Sequence, residues 1–196
     1  MYEKLTLPNG VRILTEEVPG VRSAALGIYV ATGSRQEKAA ENGAAHFIEH
    51  MSFKGTATRS AGDLAREMDA IGGQVNAYTT KEHTCYYARC MDSHLDRAVD
   101  LLCDMLFASR FDQRDVEVER GVILEEMAMY EDAGEDVAHE ALCGAVWPRS
   151  PLGRPICGTR KTVESIQPGD LLRYVAEEYA PGRMVAVAAG GYNREE

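Results

Sequence analysis

The stretch Gly43–Met51, Gly-Ala-Ala-His-Phe-Ile-Glu-His-Met, constrains the fold more than any other part of the sequence. If it is helical, a rotation of about 100° per residue places His46, Glu49 and His50 within one narrow arc. Two imidazoles four residues apart can bind one metal ion from consecutive turns, and a carboxylate beside them can take a proton from water. The stretch therefore predicts a helix that carries part of a metal site.

The order of these residues is H-x-x-E-H, which inverts the more familiar zinc-binding helix. The alternative is an ordinary helix whose polar face is exposed to water. Small and apolar residues surround the three polar ones, namely Ala44, Ala45, Phe47, Ile48 and Met51. Because apolar surroundings exclude water from a metal site, this context favours the metal interpretation.

The composition limits the classes of partner. The 196 residues are 45% apolar and 27% charged, which predicts one globular domain, or at most two; we expect a single domain spanning residues 1–196. The net charge of −10 argues against nucleic acid and against an anionic membrane surface. No apolar run follows the N-terminus and no segment approaches the ~20 apolar residues of a membrane span, so we expect a cytoplasmic protein. Five cysteines without a C-x-x-C pair predict reduced thiols.

The hydrophobic pattern predicts an α+β fold, a mixed sheet with helices packed on it, because strands and helices do not alternate strictly. The predicted strands are residues 5–7, 11–14, 24–31, 74–80, 84–91 and 184–189, with an Asn9-Gly10 turn joining the first two. The predicted helices are about 43–54, 60–71, 93–106, 112–132 and 136–147, with a further helix after Pro168. Residues 148–158 are predicted to form a loop.

Two histidines leave a zinc site incomplete, and several residues are candidates for a third ligand. His83, His94 and His139 each lie alone among polar residues, as surface and turn histidines do. Glu119 and Glu126 are seven residues apart, so they share one face of a predicted helix and lie about 10.5 Å apart along its axis.

Glu126 differs from Glu125 in its helical neighbours. The residues one turn away from Glu126 are large and apolar, namely Val122, Ile123, Met129 and Tyr130. A carboxylate in such surroundings is costly unless it is paired or binds a metal. The corresponding neighbours of Glu125 are small, Gly121 and Ala128. An acidic helix facing water is the alternative, and spacing alone leaves both interpretations open.

Four motifs, in chain order, resemble the pitrilysin family of zinc metallopeptidases, and within it the subgroup of mitochondrial processing peptidase and its bacterial relatives. They are His46–Thr56, Gly72–Thr79, Glu119–Glu126 and Pro151–Ile156. The resemblance covers nearly the whole chain. It implies the family's α+β domain with a mixed, largely antiparallel sheet.

The resemblance also implies roles for residues of the first and third motifs. It implies that His46, His50 and Glu126 are zinc ligands. Glu49 would be the base that takes a proton from water, and Glu119 would orient one of the ligand histidines.

In the second motif, Asn76 and Ala77 match a strand whose edge receives the substrate, a peptide or unfolded protein, as an added strand. Family members pair this domain with a second domain of like fold, which closes over the substrate. The sequence ends soon after the strand at 184–189, so we expect the closing half in a longer protein or a separate subunit. We therefore expect the chain alone to cleave peptides weakly or not at all. Ser52 replaces a residue that is usually larger and apolar in the family.

The sequence thus predicts a zinc metalloendopeptidase domain. One alternative is a non-catalytic scaffold or docking subunit of the same family. Such relatives usually lose a ligand or the base, whereas all four positions are present here. A second alternative is a structural zinc domain, but structural sites are closed, four-coordinate and usually rich in cysteine.

Overall fold

The computed structural model of the chain describes residues 2–192. The predicted domain span of 1–196 also includes Met1 and residues 193–196, which lie outside the described residues. The strands are β1 (Glu3–Thr6), β2 (Arg12–Glu17), β3 (Ser23–Val30), β4 (Gln74–Thr79), β5 (Thr84–Met91) and β6 (Met184–Gly190). The α-helices are α1 (Ala44–Met51), α2 (Ala61–Ile71), α3 (Leu95–Phe107), α4 (Gln113–Asp132), α5 (Gly134–Val146), α6 (Arg160–Ser165) and α7 (Pro168–Glu178).

Within residues 2–192, the six strands form one sheet in the order β1-β2-β6-β3-β5-β4. The β2–β6 pair is parallel, and the other pairs are antiparallel. The predicted class, an α+β fold with a mixed, largely antiparallel sheet, is confirmed. In the described sheet β4 is an edge strand with β5 as its neighbour, and α1 contacts this strand.

The alternation of β3 determines which face of the sheet is covered. Leu26, Ile28 and Val30 turn to one face and are buried with apolar residues of α2 and α3. Tyr29, between them, turns to the other face and is exposed. Burial of each large apolar side chain stabilises the fold by about 1.5–3 kcal/mol. This burial therefore stabilises the packing of α2 and α3 on one face of the sheet.

Helix α1 lies in a second apolar core, which is built by helices and the segments between them. Phe47, Ile48 and Met51 of α1 are buried together with Ile123 of α4 and Leu171 of α7. Helix α1 also contacts β4. These contacts fix α1 between the long helix α4 and the edge of the sheet.

Several predicted elements have different ends in the structure. Helix α1 ends at Met51 rather than near residue 54, because the following residues form turns. Helix α3 begins at Leu95, after a 3-10 turn at Asp92–His94. Asp112 precedes α4 as predicted, but its side chain makes no capping hydrogen bond.

Helix α6 is absent from the sequence prediction. It has six residues, which is too short to show an apolar period. Thr159 and Thr162 form a reciprocal capping box at its start, in which each hydroxyl accepts a hydrogen bond from the other residue's N–H group. Threonine at the later position replaces the usual Glu or Gln, so the sequence signature is hidden.

All five cysteines lie in the described part of the chain and are free thiols, as predicted. Among residues 2–192, no helix has both the length and the apolar character that crossing a bilayer requires. The cytoplasmic location stays a prediction.

We expect Gly158→Ala to lower the free energy of unfolding by more than about 1 kcal/mol. Gly158 has a φ of +80°, and an added Cβ would lie 2.3 Å from the backbone oxygen of Asn42, in the segment that leads into α1. Gly169→Ala is the control, because nothing lies within 4 Å of its added Cβ and it is in α7. Urea unfolding followed by circular dichroism measures both variants. Equal stabilities would contradict the close approach at Gly158.

Candidate metal centre

The polar face of α1 has the arrangement that the sequence predicts. His46 is buried, and Glu49 and His50 are half-buried. The apolar residues between them enter the helical core. The two imidazole rings meet edge to face, with centroids 4.5 Å apart, and their Nε2 atoms are 3.2 Å apart.

Glu126 of α4 completes a cluster with these histidines. Its Oε2 lies 3.3 Å from His50 Nε2 and 3.6 Å from His46 Nε2. Its Oε1 accepts a hydrogen bond from the Tyr130 hydroxyl at 2.9 Å, which leaves Oε2 turned toward the histidines. In the described part of the chain, His46, His50 and Glu126 are the group of three whose candidate ligand atoms all lie within 4.8 Å of one another.

The separations of these three atoms fit zinc. In a tetrahedral site with bonds of about 2.0–2.1 Å, ligand atoms lie about 3.3–3.4 Å from each other. The observed separations are 3.2, 3.3 and 3.6 Å. Two buried atoms of the cluster, His46 Nδ1 and Glu126 Oε2, have no hydrogen-bond partner. Because histidine nitrogens and a carboxylate oxygen are also the donor types that zinc prefers, the residues present suit this metal.

Glu119 holds His50 from one side. His50 Nδ1 donates a hydrogen bond to Glu119 Oε1 at 2.8 Å, and Lys54 Nζ lies 2.6 Å from Glu119 Oε2. Only 3% of Glu119 is exposed. The hydrogen bond through Nδ1 leaves Nε2 facing the cluster, as carboxylate partners of ligand histidines commonly do.

Lys54 is a residue of the candidate site that the sequence patterns do not predict. It is four residues after His50, and this spacing is the one local signal that could have indicated a shared carboxylate partner. The pairing itself is between α4 and the turn that follows α1, and no pattern within either segment reveals it.

The charges of the cluster are coupled through His50. Burial lowers the pKa of His50, but the hydrogen bond to Glu119 and the negative charge of Glu126 outweigh burial and raise the pKa to about 9. The close approach of His50 Nε2, 3.3 Å from Glu126 Oε2, lowers the pKa of Glu126 to about 2. Burial and the charge of His50 lower the pKa of His46 to about 4. Near neutral pH, His50 therefore carries a proton and His46 does not.

Glu49 lies beside the candidate ligands rather than among them. Burial raises the pKa of its carboxyl group, and interactions with Thr79 and the charge of His50 act in the opposite direction. Thr79 is the last residue of β4. A half-buried carboxyl group with a raised pKa, where the edge strand meets α1, is suited to proton transfer.

The other histidines have partners elsewhere. His83 Nδ1 lies 3.1 Å from the hydroxyl of Thr80, and His94 Nδ1 donates to the carbonyl oxygen of Ile71 at 2.8 Å. His139, on α5, lies near a cysteine thiol. The ligand cluster found among the described residues includes none of these three histidines.

Glu125 is exposed and Glu126 is half-buried, but the physical reason differs from the sequence argument. The sequence predicts apolar surroundings for Glu126, yet Val122, Met129 and Tyr130 are 43%, 72% and 44% exposed. The rotation of α4 turns Glu126 toward α1, and the Tyr130 hydroxyl holds it there.

Asn76 and Ala77 lie on the edge strand β4. Asn76 is exposed and Ala77 is buried. Asn76 Oδ1 accepts a hydrogen bond from the Ala77 N–H group at 2.9 Å. The asparagine side chain therefore satisfies a main-chain donor of the edge strand, in the place of a neighbouring strand.

The sequence of this chain is similar to those of known peptidases. A family model described as insulinase (peptidase family M16) matches residues 12–160. A protein of Bacillus subtilis named as an uncharacterized zinc protease is 47% identical over 190 residues, which cover 97% of this chain and 46% of that protein. The β subunit of mitochondrial-processing peptidase from Caenorhabditis elegans is 42% identical over 190 residues, covering 97% of this chain and 41% of the subunit. The chain spans less than half the length of these relatives.

Solved structures share the fold. A protease from Helicobacter pylori has a TM-score of 0.94 at 21% identity, covering 100% of this chain and 47% of that protein. A peptidase M16 domain from Pseudomonas fluorescens, described as inactive, has a TM-score of 0.91 at 18% identity, covering 100% and 48%. At these identities the likeness shows the fold alone.

We expect Glu126→Gln to weaken zinc binding severely, because it removes the charge of the carboxylate that faces both histidines. Glu125→Gln is the matched control and should change zinc affinity by no more than a few-fold, since Glu125 is exposed. Glu119→Gln should weaken binding by about 10–100-fold, as loss of a residue that holds a ligand does. Competition with a chelator measures the affinities. Loss of zinc in Glu125→Gln but not in Glu126→Gln would show that the helix register is wrong.

We expect zinc affinity to rise with pH from about 6.5 to about 9, by about tenfold per pH unit. The pKa of His50 is raised to about 9, so the histidine must release its proton before Nε2 can bind zinc. His46 has a pKa lowered to about 4 and adds no proton in this range. Calorimetric titration in buffers of different ionisation enthalpy counts the protons. Release of about one proton per zinc at pH 7.5 is expected, and a pH-independent affinity would contradict the coupling.

Proposed function

Because the chain belongs to the insulinase family of peptidases, family M16, we propose that it is the zinc-bearing, N-terminal domain of a metalloendopeptidase. The observation that carries the proposal is the meeting of His46, His50 and Glu126, with atoms 3.2 to 3.6 Å apart. These three residues would hold Zn²⁺ and leave a fourth position open, as catalytic zinc sites do.

The proposed reaction is hydrolysis of a peptide bond. Zinc bound at this site would supply a Lewis acid that polarises the peptide carbonyl and lowers the pKa of water. Glu49 takes the proton from the attacking water and returns it to the leaving amine nitrogen. The raised pKa of Glu49 brings its carboxyl group closer to the operating pH, which suits a group that must both accept and release a proton. Glu119 keeps Nε2 of His50 directed at the cluster.

The substrate in this proposal is a peptide or unfolded protein segment that adds to the edge of β4 as a further strand. Within the described sheet this edge has no neighbouring strand. The incoming peptide would replace Asn76 Oδ1 as the partner of the Ala77 N–H group. Because β4 ends at Thr79, beside Glu49, a peptide along this edge would pass the proposed base.

A second domain of like fold, or a partner subunit, would complete the enclosure of the substrate. The relatives are more than twice as long as the part this chain matches, and one of them is named as a subunit. The single domain supplies only one wall of the cleft, so we propose that the isolated chain is weakly active or inactive. Addition of the missing half would then restore cleavage.

The alternative is a non-catalytic subunit, and one domain of the same fold is described as inactive. Two observations argue against this alternative. The three candidate ligands lie at distances that fit zinc, and the chain also retains Glu49. A scaffold has no need for a base beside a metal site.

We expect Glu49→Gln in the full-length protein to lower peptide hydrolysis by at least about 100-fold, since general-base catalysis contributes 10²–10⁴-fold. Zinc content should stay at one ion per chain, because Glu49 is not among the three ligands. Glu125→Gln is the control and should keep both activity and zinc. A fluorogenic peptide assay with metal analysis measures both quantities. The scaffold alternative would be favoured if the full-length protein, together with any partner subunit, carries zinc but cleaves no peptide.

A further inference from the structure

The start of α1 lacks the side-chain partners that helices usually supply for their first N–H groups. Gly43 precedes the helix with a φ of 102°, and no acidic residue lies in the first turn. The N–H groups of Gly43 and Ala45 nevertheless have partners. Both donate to the carboxylate of Glu37, at 2.9 Å and 2.8 Å.

Glu37 joins this helix start to a distant loop. Asn42 Nδ2 donates to the Glu37 carboxylate at 2.8 Å and to the carbonyl oxygen of Pro155 at 2.9 Å. Arg154 Nη2 donates to the backbone oxygen of Glu37 at 2.7 Å. Glu37 itself is only 3% exposed. The carboxylate of Glu37 thus binds the start of α1, while its backbone oxygen and the Asn42 amide link the same segment to the loop that contains Arg154 and Pro155.

The residue that precedes α1 cannot supply a capping side chain of its own. Burial raises the pKa of Glu37 to about 7, against the hydrogen bonds that its carboxylate accepts. A capping side chain at position 43 is excluded, because a Cβ on Gly43 would lie 2.7 Å from the backbone oxygen of Cys157. The carboxyl oxygens of Glu37, from outside the helix, therefore accept the hydrogen bonds of the first N–H groups of α1.

The two histidines of α1 differ in what holds them. His50 donates through Nδ1 to Glu119, so α4 holds its ring directly. His46 Nδ1 is buried without a hydrogen-bond partner, so the ring position depends on the packing and the backbone of α1. Ala45, whose N–H group is bonded to Glu37, is the residue immediately before His46. The Glu37 contact therefore fixes the backbone from which His46 projects.

We propose that Glu37 is a positioning residue of the metal centre, whose carboxylate fixes the first turn of α1 so that His46 Nε2 stays at ligand distance from His50 and Glu126. Glu37 touches neither the ligand atoms nor the substrate. Loss of its carboxylate would release the first turn of α1 while Glu119 still holds the second, and the two histidines would separate. This inference rests on the proposed zinc site.

The test compares Glu37→Ala and Glu37→Gln with Ser60→Ala in the full-length protein. Ser60 caps α2, which carries none of the candidate ligands, so its loss lowers stability without touching α1. Chelator competition gives the zinc affinity, the visible spectrum of the Co²⁺ complex reports ligand geometry, and thermal melting reports the fold. We expect Glu37→Ala to weaken zinc binding by about tenfold or more and to alter the Co²⁺ spectrum.

Glu37→Gln keeps the shape and one acceptor oxygen, so its loss of affinity should be smaller than that of Glu37→Ala but larger than the change in Ser60→Ala. Ser60→Ala should melt at a lower temperature yet bind zinc within about twofold of the unmodified protein, because distant sites act independently. An equal loss of zinc in Ser60→Ala would overturn the inference.

A folded Glu37→Ala variant with unchanged zinc affinity and Co²⁺ spectrum would also overturn it. If Glu37→Ala does not fold, Glu37→Gln is measured in its place. An unchanged zinc affinity and Co²⁺ spectrum in Glu37→Gln would then overturn the inference. If the unmodified protein binds no zinc, the proposed function fails instead, so the two failures are distinguishable.

Discussion

The contact between α1 and α4 is the interaction on which the candidate metal centre depends. Apolar residues of both helices are buried in one core, and this core fixes the distance between the two backbones. Two histidines and two carboxylates meet at the same interface. Buried polar groups cost free energy unless they are fully paired, and part of this cluster is not. Apolar burial therefore stabilises a polar cluster that would not assemble alone, and a cation that pairs the remaining atoms would add to the stability.

The parts of the site that follow from local spacing could be predicted from the sequence. The spacings of His46 with His50 and of Glu119 with Glu126 place each pair on one helix face, and both pairs meet in the structure. Contacts between distant segments could not be predicted in this way. The pairing of Lys54 with Glu119 depends on the packing of two helices, not on any local pattern.

The same distinction holds for the fold. The strands of the sheet have alternating or apolar patterns of sufficient length, and the order in the sheet follows from none of them. Helix α6 is too short to show a period. The exposure of Met129 on α4 shows that apolar neighbours in a sequence do not guarantee burial, because the helix face that they share must also find a partner.

The two helices that supply the candidate ligands are far apart in the chain, separated by α2, β4, β5 and α3. Neither helix holds a complete ligand set, so a newly synthesised chain passes through a stage in which His46 and His50 have emerged and Glu126 has not. Tight metal capture must then wait until the sheet and its helices have brought α4 back to α1. A bound ion would close a long loop late in folding, as a cross-link does.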